Sequence, residues 1–123
     1  MASFTDLETW KQARKIRNLI SNMVKDFPSD EKFRLADQVV RSSRSIGNNL
    51  AEGHGRFHYQ DNIRFCIMAR GSLIETYDHL IVALDEKIIT DEILQAFQQE
   101  YESCLRLING YIQYLKTKKS EGN

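Results

Sequence analysis

Proline, cysteine and tryptophan are nearly missing from this 123-residue chain, which has one Pro, two Cys and one Trp. With Pro28 as the single proline, long stretches are free to stay helical, because proline inside a helix removes a hydrogen bond and clashes with the preceding turn. Two cysteines do not make the disulfide framework of a small secreted domain. Cys66 and Cys104 stand among apolar neighbours, in FCIM and CLRLI, and are expected as small buried hydrophobes in a reducing cytosol. No apolar run nears the ~18–20 residues of a membrane span, and the N-terminus has no basic-then-apolar signal pattern. These absences predict a soluble, cytoplasmic protein with no membrane partner. Net formal charge is zero, which removes the crude electrostatic argument for nucleic acid. A chain of this length forms one domain and buries roughly two-thirds of its unfolded surface, enough for a core without staples.

The charge that is present is unevenly spread. Residues 11–70 carry twelve Lys/Arg against six Asp/Glu, while residues 71–115 carry two against eight. Such a dipole suits either a basic face for anions or head-to-tail contact between copies. Apolar residues recur every three or four positions, and no alternating run bounded by turn residues occurs, so four helices and no strand are expected. The stripes are Leu7, Trp10, Ala13, Ile16, Ile20, Met23, Phe27; then Phe33, Ala36, Val39, Val40, Ile46, Leu50; then Ile63, Ile67, Ala69, Leu73, Ile74, Tyr77, Leu80, Ile81, Leu84; then Ile93, Leu94, Phe97, Tyr101, Leu105, Ile108, Ile112, Leu115. Thr5 with Glu8 reads as a capping box, Ser29 or Asp30 as the second cap and Thr90 as the fourth. Gly53 and Gly55 stop the second helix by tolerating a left-handed conformation. The helices span roughly 5–27, 30–53, 59–84 and 91–117. Short links make sequential helices antiparallel, so the fold class is all-α, an up-down-up-down four-helix bundle. Residues 1–117 form the single domain and 118–123 a disordered basic and polar tail.

Counting outward from a turn near residue 55 brings Val40 level with Gly71, so Gly71 and Ser72 fall where a large residue needs room. Ser42, Ser43, Ser45, Gly47, Gly71 and Ser72 read first as sites of close helix approach, and second as ligand contacts. Ser45 and Asn49 share a face that Glu52 joins, and carboxylates turned inward, with Glu75, need partners. Arg41, Arg44, Arg56 and Arg70 are available. Such a network fixes helix register or a subunit contact. No nucleophile or phosphate loop accompanies the carboxylates, so no catalytic residue is assigned and an enzyme is not expected. His54 and His58 straddle Gly55, and the paired Glu-x-x-His motifs of di-iron bundles are absent, so neither metal nor cofactor is expected. Arg34, Arg41 and Arg44 fall at i, i+7, i+10 and Arg56 and Arg64 extend positive charge around the turn. These five are the candidate contacts to phosphate. Phe57 and Tyr59 beside Arg56 offer stacking surfaces for a splayed base. The same arginines also read as solvated surface or as partners of Asp37 and Glu52.

Several motifs occur in a fixed order: Phe4-x-x-Leu7-x-x-Trp10-x-x-Ala13, Phe27-Pro28-x-x-Glu31-x-Phe33, Arg41-Ser42-x-x-Ser45-Ile46-x-x-Asn49-Leu50-Ala51-Glu52-Gly53-x-Gly55-Arg56, and Gly71-Ser72-Leu73-x-Glu75. Over roughly residues 4–115 the chain resembles the bacterial 23S rRNA-intervening sequence proteins. The resemblance implies a four-helix bundle that assembles as a barrel-like homopentamer, with no established enzymatic activity and an inferred role with rRNA. It extends to the accessory variability protein of diversity-generating retroelements, a basic pentamer that contacts a reverse transcriptase and nucleic acid. It singles out Ser45, Asn49, Glu52, Gly53, Arg56, Gly71, Ser72 and Glu75 as the family-motif polar network. Two features depart from the pattern: the link between the third and fourth helices usually contains glycine but here reads Asp85-Glu86-Lys87-Ile88-Ile89, and the total charge is neutral. The expectation is a non-catalytic homo-oligomer binding structured RNA or DNA, such as rRNA, through its arginines. The alternative is a protein-interaction scaffold that binds another polypeptide.

Overall fold

The computed structural model describes residues 3–122. Four α-helices carry the chain: α1 (Glu8–Met23), α2 (Leu35–His54), α3 (Tyr59–Asp85) and α4 (Asp91–Ser120), with no strand among the described residues. Short 3-10 turns at Phe4–Asp6, Val24–Asp26 and Ser29–Glu31 occupy the ends of what the periodicity read as continuous first and second helices. The last helix runs to Ser120, so residues 118–120 are helical where a disordered tail was expected.

Helix ends differ from the expected caps in instructive ways. Ser3, not Thr5, opens the chain with a capping box closed by Asp6. Glu31 serves α2 directly, its Oε1 accepting from the Leu35 backbone N–H at 3.3 Å, so neither Ser29 nor Asp30 caps it. Gly55 closes α2 at φ −78°, a right-handed conformation, so left-handed freedom is not what ends that helix. Thr90 does cap α4, accepting from Ile93 N–H at 3.3 Å.

Each helix packs on its two neighbours, and α1 closes on α4, so the four surround one core. Ile16, Ile20, Val39, Ile46, Leu50, Leu73, Leu80, Phe97 and Ile108 are wholly buried there. Antiparallel pairing follows from the cross-links: Ser42 meets Thr76 and Ser45 meets Ser72 between α2 and α3, while Arg70 meets Asn109 and Asn62 meets Tyr111 between α3 and α4. An even count from residue 55 misplaced this register. Gly71 makes no room for Val40; a Cβ placed on it would meet nothing within 4 Å. Ser72 and Thr76 take the contact with α2 instead. Gly47 does allow close approach, to Trp10 and Ala13 of α1.

Five residues expected in the core lie outside it. Phe33 is 85% exposed on the α1–α2 connection, Ile67, Ile74 and Ile81 of α3 are 44%, 49% and 38% exposed, and Ile93 of α4 is 40% exposed. No helix among the described residues is long and apolar enough to cross a membrane.

Candidate functional site

Small hydroxyl side chains fill the seam between α2 and α3 because only short groups fit between backbones that approach closely. Ser72 donates to Ser45 Oγ at 2.9 Å, and Asn49 Nδ2 donates to the Ser45 carbonyl at 2.9 Å and to its hydroxyl at 3.1 Å. One turn further along, the Ser42 and Thr76 hydroxyls share a 2.9 Å hydrogen bond. Thr76 donates onward to the Ser72 carbonyl at 2.8 Å. These bonds satisfy polar groups that are costly to bury alone and they lock the axial register of the two helices.

The carboxylates of the expected network do not join it. Glu52 lies on the surface and pairs with Arg56 at 3.2 Å, one turn on in sequence. Glu75 is likewise exposed and pairs with His79 at 3.1 Å. Gly53 packs against Asn62 and Phe65 of α3. Of the eight network residues, the structure unites Ser45, Asn49 and Ser72; it pairs Glu52 with Arg56; and it sets Gly53, Gly71 and Glu75 apart.

The five candidate arginines are treated unequally. Arg34 faces Glu31 at 3.8 Å and Arg41 faces Asp37 at 3.6 Å. Arg64 pairs with Asp61, and Arg56 with Glu52 while its guanidinium lies 4.8 Å from the centre of the Phe65 ring. Only Arg44 has no carboxylate partner among the described residues. Exposed pairs of this kind are worth roughly 0–1 kcal/mol, so an incoming phosphate displaces them at small cost.

Sequence reading missed one surface and half of another, in which Arg56, Phe57 and Tyr59 were expected but the tyrosines of α4 were not. The first is the outer face of α3, where Ile67, Ile74 and Ile81 recur every seven residues, with Met68 and Val82 exposed beside them. A helix apolar on nearly every side is one that is buried on nearly every side; that excess was visible in the sequence but was assigned to the core. The second is a cleft of about 350 Å³ at the turn end of the bundle, lined by His54, Arg56, Phe57, His58, Tyr111 and Tyr114 among others. Phe57 is 86% exposed and stands edge-on to His58 with 4.9 Å between ring centres. The Tyr111 and Tyr114 rings are nearly parallel, 6.2 Å apart, and burial pushes the Tyr111 hydroxyl's pKa up. Two tyrosines three apart on α4 were the available signal, but only the fold brings them to Arg56.

Elsewhere, an apolar groove of about 580 Å³ runs beside Phe27, Phe33 and Val40 with Lys25 and Lys32 on its rim. Among the described residues, no three of His, Cys, Asp and Glu converge as metal ligands. Cys66 and Cys104 are fully buried, and burial pushes both thiols up to about 12, which keeps them protonated and poorly nucleophilic at neutral pH.

Residues 5–110 match the family model described as 23S rRNA-intervening sequence protein. No curated protein matches the chain. Among solved structures, the chain is similar to a protein of unknown function from the S23 ribosomal protein family of Bacteroides thetaiotaomicron. That likeness has a TM-score of 0.79 at 23% identity and covers 85% of this chain and 95% of the other. It carries the four-helix fold.

Proposed function

The chain belongs to the family of 23S rRNA-intervening sequence proteins, and from that premise we propose that it works without catalysis, as a ring of its own copies that holds structured RNA or DNA. The observation that carries the reading is the outer face of α3. Ile67, Ile74 and Ile81 form an apolar stripe with Met68 and Val82 exposed beside it; each isoleucine is already half-buried, so completing its burial is worth roughly half of the ~1.5–3 kcal/mol of a full transfer. A second copy gains that burial. Five is the copy number implied by the resemblance, and a ring multiplies weak phosphate contacts from Arg34, Arg41, Arg44, Arg56 and Arg64 into avidity.

Light scattering tests the assembly. The wild-type protein is expected at a multiple of 14.3 kDa and Ile74→Glu at the mass of one chain; a wild-type particle of one chain's mass at micromolar concentration defeats the reading. Binding to a labelled rRNA hairpin tests the second half. Phosphate contacts make affinity fall steeply as salt rises, and Arg44→Glu, which removes the one of the five candidate arginines with no carboxylate partner among the described residues, should weaken binding most. No binding at low salt, or binding indifferent to salt, removes nucleic acid from the function.

The internal pairing of the other four arginines favours a second reading, a scaffold whose partner is another polypeptide. Co-purification that survives nuclease treatment selects it.

A further inference from the structure

We propose that the cleft between the α2–α3 turn and the C-terminal half of α4 is a binding site for a single nucleotide, with the base on its aromatic wall and the phosphate on Arg56. Its volume, about 350 Å³, falls within the ~300–1,000 Å³ of small-molecule sites. The walls combine two chemistries that few ligands use together. Phe57, Tyr111 and Tyr114 supply planar rings, and Phe57 contributes almost nothing to the core. Arg56 supplies a rigid fork of donors suited to phosphate, held near the ring of Phe65, and His58 adds a further nitrogen donor. No Asp or Glu is among the residues lining the cleft; the carboxylate that a phosphate on Arg56 must displace is Glu52, which pairs with that guanidinium at 3.2 Å from outside the lining.

A purely apolar ligand makes no use of Arg56 or the tyrosine hydroxyls, and an inorganic anion makes no use of the rings. A base carrying its phosphate uses both. The choice of a nucleotide over another planar anion rests on the nucleic-acid reading above. The shared chemistry has two sources, a free mononucleotide or one unpaired residue of an RNA strand.

Glu52 gives the proposal a signed consequence. Its carboxylate holds Arg56 at 3.2 Å and competes with the phosphate, so Glu52→Gln frees the guanidinium and strengthens binding. Base–aromatic stacking is worth ~1–3 kcal/mol, so Phe57→Ala weakens binding roughly 5- to 150-fold; the exposed side chain can be removed without opening the core.

The experiment is calorimetric titration of the full chain at low salt with adenosine 5′-monophosphate, adenosine, inorganic phosphate and an adenine RNA hexamer. The expected result is binding of the monophosphate, the hexamer or both, at least tenfold tighter than adenosine or phosphate alone, weakened by Phe57→Ala and Arg56→Gln and strengthened by Glu52→Gln. Binding of the hexamer alone, with the same variant pattern, assigns the site to a strand; binding of both admits the free nucleotide. If neither binds, or if Phe57→Ala and Glu52→Gln leave the affinities unchanged, the site is overturned. Salt-dependent rRNA hairpin binding that persists in Phe57→Ala then leaves the arginine surface standing alone. Nucleotide binding in a protein that ignores the hairpin defeats the arginine surface and keeps the site.

Discussion

Gly53 and Gly110 are both helical glycines, yet they face opposite demands. A Cβ on Gly53 would sit 2.6 Å from Asn62 Oδ1 and 2.9 Å from the Phe65 Cβ, whereas one on Gly110 would meet nothing within 4 Å. Asn62 cannot easily yield, since its amide donates to Tyr111 at 3.3 Å and its oxygen accepts from the Cys66 thiol at 3.6 Å. Overpacking of this kind costs about 1–3 kcal/mol, while replacing an open helical glycine by alanine gains up to ~1 kcal/mol. Urea unfolding should therefore show Gly53→Ala with a lowered midpoint and Gly110→Ala with a raised one. Equal midpoints for the two variants would mean that the α2–α3 seam is looser than its geometry. Gly71 has the same open surroundings within one chain, but it lies between Ile67 and Ile74 on the face proposed to meet a second copy.

At the scale of the element, the link between α3 and α4 carries a conformation its sequence does not suit. Lys87 adopts φ +60°, the left-handed region that costs a non-glycine residue roughly 1 kcal/mol. The reason is the helix stop: Ile88 N–H reaches back to the Ala83 carbonyl at 2.8 Å and Lys87 N–H to the Leu84 carbonyl at 3.0 Å, the paired bonds that close a helix around a left-handed residue. Lys87→Gly should relieve the strain and raise the unfolding midpoint by the equivalent of about 0.5–1 kcal/mol; an unchanged or lowered midpoint would show that the turn stores no strain. The absence of glycine from Asp85–Ile89 was legible in the sequence, but the strained residue was not, because only the backbone assigns φ. The same limit explains the rest. Periodicity sorts residues onto a shared face, so Val39, Ile46, Leu73, Leu80 and Ile108 were legible as core. It does not say which neighbour that face meets. A step of one residue rotates a side chain by about 100° around a helix, which is the difference between Ser72 touching Ser45 and Gly71 touching nothing. Glu52 was placed inward on helical spacing and Glu75 with the motif that carries it; their partners, the anticipated Arg56 and the unanticipated His79, lie one turn away on their own side of the surface.

Across the whole molecule, unfolding is coupled to pH through groups that the core keeps neutral. Cys66 and Cys104 are fully buried with thiols pushed up to about 12, and burial also raises Tyr101 and Tyr111. In the unfolded chain a thiol ionises near ~8.5 and a tyrosine near ~10. Below those values both states hold their protons and these groups add no pH dependence. Above them the unfolded state releases protons that the folded state retains, so stability falls as pH rises from about 8.5 toward the folded values. At pH 10 each thiol accounts for about 2 kcal/mol of that loss. Glu100 acts at the other end: the Gln12 hydrogen bond, aided by Lys15, lowers its pKa, so its contribution is present above the usual carboxylate range and is lost on acidification. Urea unfolding at pH 7 and pH 10 should show a marked alkaline loss in the wild-type protein and a smaller one in the Cys66→Ala, Cys104→Ala double variant. The double variant starts lower at pH 7, because each substitution leaves a small cavity, so the informative quantity is the difference between the two pH values within each protein. If that difference is the same in both, the thiols ionise while the bundle is folded, and the core around α3 and α4 admits water that its packing excludes.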